Sequence, residues 1–139
     1  MTYTGHSGRM VSPEGGSRMI LLADDSAVIR ASMGGLIRSM GHRVDVVSDG
    51  AGALAALARA GADYDLVLLD IQMPGMGGVE AAAQIARGLV HRPRVVGVSA
   101  ETEGVVVSES SGFDAVLSKP LRAAEVARLI ESTGVRDRT

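Results

Sequence analysis

The stretch LVLLDIQMP, residues 66–74, decides the fold. Its first four residues are bulky and apolar without interruption, which is typical of a strand buried on both faces of a parallel sheet. Asp70 stands where this strand ends, and a loop containing Pro74 and three glycines follows it. Because ligands of open α/β sheets bind beside the carboxyl ends of the strands, Asp70 is predicted to lie at a functional site.

Short apolar runs alternate with helical patterns on both sides of this stretch. The runs at 19–23, 43–48, 95–98 and 115–117 predict four more strands. Apolar residues at helical spacing predict helices at 27–40, 51–60, 78–87 and 122–132. This alternation specifies an α/β fold, a five-stranded parallel sheet with helices on both faces. We expect the doubly wound, flavodoxin-like strand order 2-1-3-4-5.

Details of the helices are also predicted from spacing and composition. In the first helix, Gly34 is expected on the outer face. In the third helix, the residues expected in the core are Val79, Ala82, Ala83 and Ile85. Gly61 is a predicted C-cap. The segment Glu101–Ser111 contains three consecutive valines and a glycine, so it is predicted to form only a short or frayed helix.

The composition of the chain indicates the limits of the domain and the environment in which it works. Residues 1–18 lack apolar periodicity and predict a flexible leader or linker, followed by a domain at 19–133 and a short tail at 134–139. The net charge is −2 without a basic block, which argues against direct nucleic-acid binding. The chain has no cysteine and no run long enough to span a membrane, so a cytoplasmic domain without membrane contact is expected. The histidines, expected to be solvated, are His6, His42 and His91.

Four of the five predicted strands end in polar or charged residues. These residues are Asp24 and Asp25 after the first strand, Asp70 on the third, Ser99 on the fourth and Lys119, the only lysine, on the fifth. Carboxylates that converge on one cleft favour a cation, and oxygen ligands without cysteine select Mg²⁺ or Mn²⁺. An ammonium and a hydroxyl suit the oxygens of a phosphoryl group. The pattern therefore predicts phosphoryl transfer to Asp70 as the nucleophile, with an aspartyl phosphate as product.

The chain resembles the receiver domains of two-component response regulators, including those attached to hybrid sensor histidine kinases. The resemblance covers about residues 19–132. It is carried by Asp24-Asp25, by LLDIQMP at 68–74, by Ser99-Ala100-Glu101 and by Ser118-Lys119-Pro120. Each motif is weak alone, but their order and spacing together are specific.

This resemblance implies a phosphoacceptor signalling domain. Asp70 would take a phosphoryl group from a phosphohistidine on a sensor histidine kinase or a histidine phosphotransfer protein, or from a small phosphodonor. Asp25, Asp70 and the backbone carbonyl of Gln72 would hold Mg²⁺, with Asp24 acting through water. The phosphorylated state would alter a protein partner or an attached domain, and a phosphorylation-dependent dimer is expected. The domain would not be an enzyme, since its only reactions are its own phosphorylation and autodephosphorylation.

The resemblance also implies how phosphorylation is sensed. Ser99 and Lys119 would each bind a phosphoryl oxygen, and the bond between Lys119 and Pro120 is expected to be cis. Many members of the family carry an aromatic residue three positions before the lysine, and it rotates when the hydroxyl moves. Val116 occupies that position here. The switch position therefore lacks its aromatic side chain in this chain, though Ser99 can still move.

An alternative from another class is an Mg²⁺-dependent phosphohydrolase of the haloacid dehalogenase type. Such a hydrolase also combines a strand-end aspartate, a hydroxyl, a lysine and acidic residues around the metal. It requires a second aspartate two residues after the nucleophile, where this chain has Gln72, and it carries its nucleophile on the first strand. Turnover of a phosphate ester would separate the two hypotheses.

Overall fold

The structure is a computed structural model that describes residues 16–59, 63–88, 92–100 and 111–134. The strands are β1 (Met19–Ala23), β2 (Arg43–Val47), β3 (Leu66–Asp70), β4 (Arg94–Ser99) and β5 (Ala115–Ser118). The helices are α1 (Ala27–Ser39), α2 (Gly50–Ala58), α3 (Gly78–Gly88) and α4 (Ala123–Glu131). Each end lies within two residues of its predicted position.

The five strands form one parallel sheet in the order β2-β1-β3-β4-β5, which confirms the predicted topology. In the register of the sheet, Asp70 pairs with Val98, and Ser99 pairs with Ser118. The carboxyl ends of β3, β4 and β5 therefore meet at one edge. This alignment brings together the polar residues that follow the strands.

Two hydrophobic cores cover the two faces of the sheet, because successive residues of a strand point to opposite sides. The core under α2 and α3 contains, among others, Leu21, Val67, Leu69, Val95, Ala53, Ala82 and Ile85. The core under α1 and α4 contains, among others, Ile20, Leu22, Leu66, Leu68, Val96, Ile37, Val126 and Ile130. Every residue of β3 is buried, as its apolar run predicts.

Two predictions about helix faces were wrong. Gly34 is buried, and a Cβ built on it would lie 3.5 Å from Cγ1 of Val46, because the edge strand β2 packs over this part of α1. Val79 is 54% exposed. The buried stripe of α3 instead consists of Gly78, Ala81, Ala82 and Ile85. This stripe follows helical spacing from Gly78, and Val79 lies to one side of it.

The residue that precedes β1 is packed into the domain. Arg18, which was predicted to belong to the leader, is only 4% exposed. Its guanidinium donates to the backbone carbonyls of Thr133 at 3.0 Å and Glu131 at 3.2 Å, beside the end of α4. Its backbone N–H donates to Nδ1 of His42 at 3.0 Å. His42 is therefore buried, contrary to the prediction that it is solvated, because it accepts the hydrogen bond that fixes the start of the domain.

His42 makes the stability of the fold depend on pH. Burial lowers its pKa below the ordinary value of 6.5, the nearby Arg18 charge lowers it further, and Asp65 opposes the shift. A depressed pKa means that the neutral imidazole stabilises the fold fully above about pH 6.5 and that this contribution is lost below it. We expect urea unfolding to show a steeper fall in stability between pH 7 and 5 for the wild type than for His42→Gln. Equal slopes would contradict this prediction.

Several predicted features lie outside the described residues. They are Gly61, His6, His91, residues 1–15 of the leader, residues 135–139 of the tail and residues 101–110 of the segment predicted to be a poor helix. Among the described helices, none combines the length and apolar character needed to cross a bilayer.

Candidate functional site

Three carboxylates converge at the carboxyl edge of the sheet. Asp24 and Asp25 follow β1, and Asp70 ends the neighbouring strand β3. Among the described residues, they form a group whose candidate ligand oxygens all lie within 4.8 Å of one another. Asp24 and Asp70 are buried, whereas Asp25 is exposed. The cluster thus presents one solvent-facing carboxylate beside two that are held in the protein.

Lys119 bridges the two buried carboxylates. Its Nζ lies 3.2 Å from Oδ2 of Asp70 and 3.3 Å from Oδ2 of Asp24. Its backbone N–H donates to the carbonyl of Ser99 at 2.8 Å, which fixes the chain just beyond β5. The single lysine of the chain therefore points into the acidic cluster. Three carboxylates and one ammonium leave a formal charge of −2 at this edge.

The polar atoms of Asp24 are all hydrogen-bonded. Its backbone N–H donates to Val47 at 3.1 Å, and its backbone carbonyl accepts from Nη1 of Arg30 at 2.8 Å. Its carboxylate accepts from the backbone N–H of Ser26 at 2.9 Å through Oδ1, and from Lys119 through Oδ2. A direct bond from Asp24 to a metal would compete with one of these two hydrogen bonds. Arg30 was not among the residues predicted at this site.

The pKa values of Asp70 and Lys119 both depart from their ordinary values. Burial raises the pKa of the Asp70 carboxyl, and the charge of Asp24 adds to this shift. Hydrogen bonds from the Gln72 N–H, at 3.1 Å, and from Lys119 oppose it. Burial alone would lower the pKa of Lys119, but the hydrogen bonds and charges of Asp70 and Asp24 outweigh it, so this pKa is raised. Asp70 is therefore a poorly solvated carboxylate beside a firmly protonated ammonium.

The loop that carries Gln72 is tied down at both ends. The N–H of Gly78 donates to the carbonyl of Ile71, and the N–H of Gly50, at the start of α2, donates to Met76, both at 3.1 Å. A Cβ built on Gly78 would lie 2.5 Å from the carbonyl oxygen of Asp70, so only glycine fits at this closing point. The backbone following Asp70 therefore has a defined path.

The remaining predicted residues surround this centre. Ser99 ends β4 and is 1% exposed. The peptide bond between Lys119 and Pro120 is cis. Val116 is half-buried, packs against the core under α2 and α3, and pairs with Gly97 of β4. Val116 thus stands at the position where the resemblance leads one to look for an aromatic side chain.

A cleft of about 260 Å³ opens beside the acidic cluster, between α1 and the turn that follows β5. Asp24, Asp70 and Lys119 line its polar end. Its apolar walls include Ile29 and Met33 of α1 and Leu121. The carboxylate of Asp70 can therefore be approached from the α1 side of the sheet edge.

Comparison with known proteins is consistent with this geometry. Residues 20–131 match the model of the response regulator receiver domain. The sensor histidine kinase AruS of Pseudomonas aeruginosa is 37% identical over 120 residues, which are 83% of this chain and 12% of that protein. The transcriptional regulatory protein TcrA of Mycobacterium tuberculosis is 36% identical over 115 residues, or 79% of this chain and 44% of that protein. The chain spans less than half the length of these relatives.

A solved structure extends the comparison to three dimensions. The receiver domain of the sensor histidine kinase PA1611 from Pseudomonas aeruginosa, which has a magnesium ion coordinated in its active site cleft, superposes with a TM-score of 0.70 and 28% identity. The match covers 83% of this chain and 95% of that one. These similarities do not support the phosphohydrolase alternative, and Asp70 lies on β3 rather than on the first strand.

Proposed function

Because this chain belongs to the family of response regulator receiver domains, which are phosphoacceptor signalling domains, we propose that Asp70 is the residue that accepts the phosphoryl group. The observation that carries this proposal is the position of Lys119, whose ammonium lies between the carboxylates of Asp70 and Asp24 with Asp25 exposed beside them. An anionic phosphoryl group needs such positive charge next to its acceptor, and it needs an open approach.

We propose that a divalent cation completes the site. The donor set consists of oxygens only, which suits the hard ion Mg²⁺ and also Mn²⁺. Asp25, Asp70 and the backbone carbonyl of Gln72 would hold the ion, and Asp24 would act through water because its two carboxylate oxygens already accept hydrogen bonds. When bound, the ion supplies positive charge that offsets the repulsion between the carboxylates and the phosphoryl oxygens.

The proposed reaction transfers one phosphoryl group to the protein. A carboxylate oxygen of Asp70 attacks the phosphorus of a phosphohistidine, the P–N bond breaks, and the released imidazole nitrogen retains its electron pair until it is protonated. The product is an acyl phosphate on Asp70. Lys119 stays beside it as a donor to one phosphoryl oxygen, and the hydroxyl of Ser99 donates to another. Apart from this step and autodephosphorylation, the domain turns over no substrate.

The proposed partners are a sensor histidine kinase or a histidine phosphotransfer protein as donor, and a protein or attached domain as recipient of the signal. AruS, a sensor histidine kinase, supports this assignment because part of it is 37% identical to this chain. A phosphorylation-dependent dimer, the absence of direct nucleic-acid contact and a cytoplasmic location remain predictions. Because Val116 is not aromatic, Ser99 and Lys119 are the groups that we propose to respond to the phosphorylated state.

Incubation with acetyl phosphate tests the proposed function. In the presence of Mg²⁺ we expect intact-mass spectrometry to show one added phosphoryl group per chain, and we expect an excess of EDTA to prevent it. Mn²⁺ should restore labelling. Absence of labelling at saturating Mg²⁺ would contradict the proposal. Sustained release of phosphate from p-nitrophenyl phosphate would contradict it too, and would favour a hydrolase.

A further inference from the structure

We propose that Arg30 is a positioning residue of the metal site, which holds the backbone of Asp24 so that Asp25 projects toward the ion. This inference rests on the proposed function, because it concerns the same acidic cluster. Arg30 lies in α1, and its Nη1 reaches back past the start of the helix to the carbonyl oxygen of Asp24, at 2.8 Å.

The hydrogen bond of Arg30 acts at the peptide that links Asp24 to Asp25. The carbonyl of Asp24 belongs to this peptide, so the guanidinium fixes the plane from which the Asp25 side chain departs. On the other side of Asp24, the N–H is held by Val47 of β2 at 3.1 Å. Asp25 itself is exposed, so the direction of its carboxylate depends on the backbone that carries it. The backbone of Asp24 is therefore held at its N–H by β2 and at its carbonyl by Arg30.

The presence of Arg30 near the amino end of α1 is not explained by a contribution to the stability of the helix. Its backbone N–H donates to the N-cap residue Ser26, which places the arginine near the amino end of the helix. A cation there opposes the helix dipole. The first turn of α1 holds no acidic residue, and within the described parts of the chain Arg30 forms no ion pair. We therefore attribute its position to the hydrogen bond that it donates to the carbonyl of Asp24.

Arg38 provides a matched control in the same helix. It also donates from its guanidinium to a backbone carbonyl, that of Val44, at 3.3 Å. Arg38 lies two turns farther along α1, toward the opposite edge of the sheet from Asp25. Arg30→Gln and Arg38→Gln therefore each remove one positive charge and one such hydrogen bond from α1. They differ in whether the backbone at Asp24 is released.

The experiment measures Mg²⁺ affinity by isothermal titration calorimetry and, separately, the rate of labelling by acetyl phosphate as a function of Mg²⁺ concentration. We expect Arg30→Gln to weaken Mg²⁺ binding about tenfold, the lower end of the range for residues that orient metal ligands. The maximal labelling rate at saturating Mg²⁺ should stay within about twofold of the wild type, because Arg30 does not touch the reacting atoms. Arg30→Lys, which keeps the charge and one donor, should recover most of the affinity, and Arg38→Gln should bind like the wild type.

The outcomes separate this inference from the proposed function. If the wild type binds Mg²⁺ and is labelled but Arg30→Gln binds equally well, the role of Arg30 is disproved while the phosphoacceptor function stands. If Arg38→Gln weakens binding as much as Arg30→Gln, the effect comes from a general disturbance of α1 and the positioning role is disproved. If Arg30→Gln does not fold, Arg30→Lys decides. A Mg²⁺ affinity more than about tenfold below that of the wild type, although the charge and a hydrogen-bond donor are kept, would disprove the role assigned to this hydrogen bond. If the wild type binds no divalent ion, the proposed metal site itself fails and this inference with it.

Discussion

Asp70→Asn is expected to abolish labelling of the protein by acetyl phosphate. The amide of asparagine carries no anionic oxygen, so it cannot form the acyl phosphate that the proposed reaction requires. The substitution changes almost no volume, and Asn can still accept the hydrogen bond that the Gln72 N–H donates to Asp70. We therefore expect the circular dichroism spectrum to match that of the wild type while the mass shift on phosphorylation disappears.

Asp45→Asn is the matched control for this experiment. Asp45 lies on the edge strand β2, outside the acidic cluster, where it accepts a hydrogen bond from the hydroxyl of Tyr64 at 2.6 Å and pairs with Arg59 at 3.5 Å. An asparagine at this position can keep that hydrogen bond, so we expect full labelling. Labelling of Asp70→Asn to the wild-type level would refute the assignment of the acceptor, and loss of labelling in both variants would point to a nonspecific effect of lost charge.

The sheet and the members of the acidic cluster could be predicted from sequence because both follow from local patterns. The uninterrupted apolar run of β3 and the alternation of strands with helices determine a doubly wound topology. That topology alone brings the residues after parallel strands to one edge. Asp24, Asp25, Asp70 and Lys119 were therefore predicted together, and they lie together in the structure. Their roles in phosphoryl transfer remain predictions.

The contacts that were not predicted depend on packing between segments that are distant in the sequence. Arg18 resembles a linker residue in sequence, yet it hydrogen-bonds to Thr133, which is 115 positions away. His42 is buried, and it accepts a hydrogen bond from the backbone N–H of Arg18, 24 positions away. Gly34 is covered by β2, whose placement over α1 no periodicity reveals. Arg30 had one local signal, a cation near the amino end of a helix, but its partner at Asp24 became apparent only in three dimensions.

Gly112→Ala is expected to cause the largest loss of stability of any substitution considered. Gly112 has a φ of +85°, and a Cβ built on it would overlap the carbonyl oxygen of Ala82 in α3. The left-handed conformation alone costs a residue with a Cβ about 1 kcal/mol or more. Relief of the overlap would additionally move the turn away from α3 and disturb Phe113, which is buried in the core next to it. We expect urea unfolding to show a loss of about 3 kcal/mol or more, a large share of the roughly 5–15 kcal/mol typical of a domain.

Gly75→Ala measures the conformational part of this loss without any contact with α3. Gly75 also has a positive φ, +70°, but a Cβ built on it meets nothing within 4 Å. Its substitution should therefore cost only the conformational term, about 1 kcal/mol. The difference between the two variants measures how firmly the turn before β5 is packed against α3. Because β5 leads to Lys119 in the acidic cluster, the same packing supports the site, and Gly112→Ala should also lower Mg²⁺ affinity. Equal losses of stability in the two variants would show that the contact with Ala82 contributes nothing.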